Sequence, residues 1–124
     1  MVLVNAWKRV VLENYANFQG RANMPEFWWF VLANFIVYVV LGLILASVSS
    51  IFFYLFILYA IGIIIPNLAV AIRRLHDTGK SGWFILLGII PCVGSIILLV
   101  FYATAGQPTD NQWGPPPAPG LPAA

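Results

Sequence analysis

No charged residue occurs between Phe27 and Ile72. As one helix that stretch would extend about 69 Å, more than twice the ~30 Å hydrocarbon core of a bilayer. A single crossing cannot use the length, but two antiparallel crossings joined by a tight turn can. Charge is scarce throughout. Only 8% of the 124 residues are charged, against about 25% in an ordinary soluble domain. The formal net charge of +2 is too small to point to nucleic acid, so no nucleic-acid partner is expected. A lone cysteine, Cys92, excludes an internal disulfide. One histidine and four scattered acids offer no metal-ligand set, and no cofactor is expected. A cleavable signal peptide is not expected either: Lys8, Arg9 and Glu13 interrupt Met1–Phe18, and no small-residue cleavage site follows an apolar core. The first crossing should therefore serve as an uncleaved insertion signal.

What is present is apolar and helical in period. The expected fold is an all-α membrane protein with an amphipathic N-terminal interfacial helix plus three transmembrane helices, the third kinked or re-entrant at Pro91. Residues 1–22 form the amphipathic cytoplasmic or interfacial segment, 23–105 the helical membrane domain, and 106–124 a Pro/Gly-rich tail. Within Val4–Phe18, Trp7, Val10, Val11, Tyr15 and Phe18 recur at helical spacing, with Lys8, Arg9, Glu13 and Asn17 on the other side. Such a helix can lie in the membrane interface or pack on the protein's own cytoplasmic loops; the first is favoured.

Asn23 reads as the N-cap of the next helix, with Pro25 in its first turn and Glu26 completing a capping-box pattern. The first crossing then covers Glu26–Ala46, the turn Ser47–Ser50, and the second crossing Ile51–Ile72. Pro66 cannot donate to the Gly62 carbonyl, which needs another donor in lipid. Arg73–Gly82 is a short polar loop. Trp83–Ala103 would span about 32 Å as a helix, and that length favours one kinked span over two half-length legs. The tail has almost nothing to bury after Trp113 and should be largely extended or disordered, with polyproline character in PPPAPGLP. Lys8, Arg9 and Arg21 precede the first crossing, and Arg73, Arg74 and Lys80 follow the second. These are all six cations, so a cytoplasmic N-terminus puts every one of them on the positive-inside face.

The Arg73–Gly82 loop is the strongest candidate site. Arg73 and Arg74 can grip a phosphate with two donors each, and Lys80 adds a point charge. Thr78, Gly79, Ser81 and Gly82 offer donors at the entrance to the third helix. Arg21, Lys8 and Arg9 should share that face, a set suited to an anionic phospholipid headgroup. The plain alternative is a stop-transfer signal with Asp77 and Glu26 as ion-pair partners. His76–Asp77 invites acid–base chemistry, but neighbours on a helix do not face each other. Gly79–Lys80–Ser81 lacks the first glycine of a phosphate-binding loop. Asn34 and Asn67 fall at similar depth in the two crossings and are expected as structural polar residues, bonded to each other or with Asn67 serving the carbonyl that Pro66 frees.

Four ordered blocks carry a family resemblance: Tyr15–Ala22, Glu26–Trp28, the loop RRLHDTGKSGW at 73–83, and GQPTDNQWGP at 106–115. The chain resembles the domain of unknown function 805 family, the YhaH-type bacterial inner-membrane proteins. The resemblance implies a small polytopic protein of the bacterial cytoplasmic membrane and imports no activity. The function expected is non-enzymatic binding of a membrane-protein partner or anionic lipid through the cytoplasmic loop, as a homo-oligomer or a subunit of a larger complex. The alternatives are a subunit of an oligomeric channel or transport complex, and a membrane-bound enzyme acting on a lipid phosphate through His76 and Asp77.

Overall fold

The computed structural model describes residues 2–117. Residues 118–124, on which most of the polyproline expectation falls, lie outside that range. Among the described residues every named element is helical: α1 Val2–Lys8, α2 Met24–Val39, α3 Ser50–Gly62, α4 Ile64–Asp77, a 3₁₀ helix Gly82–Ile89, and α5 Val93–Tyr102. Two π-helical stretches, Arg9–Glu13 and Val40–Leu45, continue α1 and α2.

The helix starts follow local chemistry. The Asn23 side chain accepts from the Glu26 N–H at 2.9 Å, with Pro25 in the first turn. Ser49 caps α3 by accepting from the Ile51 N–H. Met24–Leu45 is 22 residues long with a mean hydropathy of 2.3, enough to cross a membrane. Only 17% of its most apolar window is buried, the opposite of a soluble core helix. Helices α3 and α4 form a second apolar rod bent by 41° at Ile63. The bend follows from Pro66, which removes one intrahelical donor. The freed Gly62 carbonyl accepts instead from the Tyr15 hydroxyl at 2.8 Å.

The third apolar segment departs from the single kinked span. The 3₁₀ helix runs one way and α5 returns. Cys92 has φ 61° and ψ −67°, and the Val93 N–H reaches back to the Pro91 carbonyl at 2.7 Å. This is a γ-turn, and it reverses the chain. The Phe84 and Phe101 rings meet edge-on at 5.8 Å, and Lys80 Nζ lies 4.7 Å from the Phe101 ring centre. Both ends of the segment therefore sit at one level. Each arm is about 15 Å long, half of what a crossing needs, so the segment is a hairpin of two short arms and not one continuous helix.

The N-terminal helix also departs from expectation. It does not lie across the end of the bundle but runs along α2. Arg9 pairs with Glu26 near the start of α2, whereas Leu3 and Val4 lie beside Ile36 and Val37, about 15 Å further along. Trp7 donates from Nε1 to the Tyr59 hydroxyl at 2.8 Å, and Tyr59 donates to Asn34 Oδ1 at 2.7 Å. An aromatic and polar relay thus replaces the Asn34–Asn67 pair. The Asn67 side chain has no hydrogen bond among the described residues and is half-buried.

The core gathers at one end. Phe30, Val10, Ala6, Val70 and Leu75 are almost fully enclosed, joined by Leu98 and Tyr102 from the hairpin. By contrast, none of residues 35–62 is buried.

Candidate functional site

At the core-rich end the charged residues form one knot. Arg73 and Arg74 are neighbours near the end of α4, and each takes a different acid. Arg73 Nη1 donates to Glu26 Oε2 at 2.6 Å, and Arg9 completes that carboxylate at Oε1, 3.1 Å away. Arg74 Nη1 donates to Asp77 Oδ2 at 2.6 Å, one turn along, and Arg21 completes Asp77 at Oδ1, 2.9 Å away. Both carboxylates therefore bridge two guanidinium groups. Arg21, Arg73, Arg74, Glu26 and Asp77 are all buried, Arg74 completely. Such groups are tolerated in a low-dielectric interior only when paired and hydrogen-bonded.

Backbone carbonyls finish the pairing. Arg74 Nε donates to Tyr102 O at 2.9 Å, Nη1 to Ala22 O at 3.2 Å, and Nη2 to Thr104 O. Arg21 reaches Gln107 O at 2.5 Å, Thr109 O at 2.9 Å and Gly114 O at 3.2 Å. Arg73 Nε donates to Asn17 O. One guanidinium nitrogen, Arg73 Nη2, is buried without a partner. The knot therefore ties the segment before α2, the end of α4, the end of α5 and the start of the tail.

The tail is accordingly held where the sequence suggested looseness. The Gln107 N–H donates to Asp77 O at 2.8 Å, and Asn111 donates to His76 O at 2.9 Å. Trp113 stacks on His76 with ring centres 4.4 Å apart and planes within 5°. Gly106 passes so close to the knot that an added Cβ would lie 2.1 Å from Asp77 Oδ2. Sequence reasoning missed these partners because backbone carbonyls carry no residue-type signal. The one available hint was the density of Gln, Asn and Trp over 107–113, unlike a plain solvated tail.

His76 is buried, and its Nδ1 lies 3.0 Å from Gly20 O. Burial pushes the imidazole below its ordinary range, with the Gly20 carbonyl pulling the other way. Neither His76 nor Asp77 faces the other as an acid–base pair: each already has its own partners. The loop donors expected to meet an anion also have internal roles. Gly79, at φ 81°, ends α4: its N–H reaches His76 O, and the Lys80 N–H reaches Leu75 O at 2.9 Å, the two bonds of a Schellman cap. The Thr78 hydroxyl donates to Leu75 O, and Ser81 caps the 3₁₀ helix.

Of the predicted set, Arg21, Arg73, Arg74, His76 and Asp77 meet in the knot. Lys80 stays outside it, half-exposed over Phe101. Lys8 is exposed. Beside the knot lies an open groove of about 400 Å³, walled by Phe18, His76, Ser81, Trp83 and Trp113. No group of three or more His, Cys, Asp or Glu side chains among the described residues could hold a metal.

A small helical protein with one crossing-length apolar helix, one bent apolar rod and its charges tied at one end is the class that fold and site define. Within that class, the chain belongs to the family described as "Protein of unknown function (DUF805)", matched over residues 15–115. It is 42% identical over 111 residues to inner membrane protein YhaI of Escherichia coli strain K12, covering 90% of this chain and 94% of that protein. It is likewise 42% identical over 118 residues to inner membrane protein YhaH of the same strain, covering 90% and 95%. No solved structure matches the chain. The names of the relatives support a bacterial inner-membrane location.

Proposed function

We propose that the chain is a non-enzymatic, multi-pass inner-membrane protein with its charged end cytoplasmic, two crossings and a re-entrant hairpin, and that it binds anionic phospholipid at that cytoplasmic face. The observation that carries this is the double pairing of Glu26 and Asp77. It makes the arginines structural and leaves Lys80, Lys8 and the aromatic groove as the outward-facing features. All six cations then lie on one face, in line with the positive-inside rule. Trp83, 78% exposed, suits a headgroup-level anchor, where amphipathic rings collect.

The test pairs two variants. Replacing Lys80 by Gln together with Trp83 by Ala should lower the anionic phospholipid retained in native nanodiscs and leave thermal stability unchanged. Retention equal to the parent would remove the lipid reading. For topology, in a Cys92→Ser background, Ser49→Cys should react with an impermeant thiol reagent in intact cells, while Ser81→Cys and Thr109→Cys should not. Labelling at Thr109 would mean that the third segment crosses.

A further inference from the structure

The protein is broad at one end and slender at the other. At the charged end α1, the first part of α2, α4 and the two hairpin arms lie side by side. Beyond the hairpin tip, among the described residues, only the later part of α2, its continuation Val40–Leu45, and α3 remain. Burial records the same change of girth. Asn34 on α2 and Ile63 after α3 are the last enclosed residues, and none between them is buried. Leu43 is 70% exposed and Leu58 65%. Three short elements account for the difference: α1 with 7 residues, the 3₁₀ arm with 8 and α5 with 10. None is long enough to leave the leaflet that holds the knot.

We infer that the protein is a wedge whose partner is a curved lipid surface: it favours membrane that bulges toward the side bearing the charged knot. Three additional helical rods, each ~10 Å across, displace roughly 240 Å² more lipid from that leaflet than from the opposite one. A flat bilayer must absorb the mismatch as lateral pressure in one leaflet. Bending places the broad end on the convex, expanded side and relieves it. Given the cytoplasmic orientation proposed above, the favoured shape is a bulge into the cytoplasm. The inference rests on the two-crossing topology, because a third full crossing would even out the two ends.

The experiment uses the intact chain with Cys92→Ser and Ser49→Cys, carrying a dye on the thiol introduced in the turn before α3, and reconstituted into giant vesicles of phosphatidylethanolamine and phosphatidylglycerol. Thin tubes are drawn from the vesicles, and an impermeant quencher reports the orientation of each population. Molecules with the broad end outward should be enriched in the tube relative to a lipid dye, more so as the tube narrows. Molecules with the broad end inward should be depleted. Equal density for both orientations overturns the wedge, as does enrichment of both. Assembly of copies through the slender half would fill it, abolish the sorting and equally overturn the proposal. Labelling of Ser81→Cys and Thr109→Cys on the same vesicles separates the two failures. Reaction from opposite sides sinks the topology, and absent sorting with both on one side sinks the wedge alone.

Discussion

Replacing Arg74 by Lys keeps the charge and removes the fork. Arg74 is fully enclosed and reaches four acceptors: Asp77 and the carbonyls of Ala22, Tyr102 and Thr104. A lysine ammonium is a point donor on a flexible stem and cannot address acceptors spread around a planar guanidinium. If it keeps the Asp77 pair, the Tyr102 and Thr104 bonds are lost. Hydrogen bonds to charged groups contribute about 1.5–3 kcal/mol each, which bounds the loss at roughly 3–6 kcal/mol. Because the bonds belong to one network, their losses are not additive, and ~3 kcal/mol is the working figure. That is a large share of the roughly 5–15 kcal/mol by which folded proteins typically exceed their unfolded states. The assay is thermal unfolding in one detergent. The variant should melt earlier, since Arg74 fixes the returning end of the hairpin through the Tyr102 and Thr104 carbonyls. A parent-like melting curve would refute the reasoning and reduce the arginines to topology signals.

Tyr15→Phe leaves the ring and removes the donor to the Gly62 carbonyl, so it should cost about 1 kcal/mol; no change in melting would mean that another group serves that carbonyl. For His76 the folded state disfavours the proton because the ring is buried, so the unfolded chain takes it up first. The stability contributed by neutral His76 is therefore complete above the unfolded value of about 6.5 and is lost as pH falls through the lower folded value. Melting followed from about pH 8 to about pH 5 should show this loss in the parent and a flatter response in His76→Gln; parallel curves would refute it.

How far the sequence alone reaches depends on the range of the contact concerned. The charge-free run, the Asn23 cap and the Arg74–Asp77 spacing are local properties, and local physics decides them. The hairpin is open to two readings because length and a central proline fit both. What selects between them is the anchoring of Tyr102 and Gln107 on Arg74 and Arg21, residues 28 and 86 positions away. The place of the N-terminal helix is hidden for a similar reason. An aromatic stripe fits a lipid interface as well as it fits α2, and only the Trp7–Tyr59–Asn34 relay distinguishes them. At Pro66 the need for a donor is plain from the sequence, but its identity is not, since Tyr15 and Gly62 are 47 residues apart.

The three tail carbonyls on Arg21 give the chain a direction in time. Arg21 is synthesised and placed early, yet Gln107, Thr109 and Gly114 follow it by 86, 88 and 93 residues. Until they leave the ribosome, an arginine destined for a dry interior has only Asp77 and water for company. The knot therefore closes only after residue 114 has been made. Without residues 107–114 the charged end stays open, because three of the carbonyls that Arg21 addresses are gone. A tag fused beyond residue 117 should therefore be far better tolerated than the loss of residues 107–114, read as the melting temperature of each protein in one detergent.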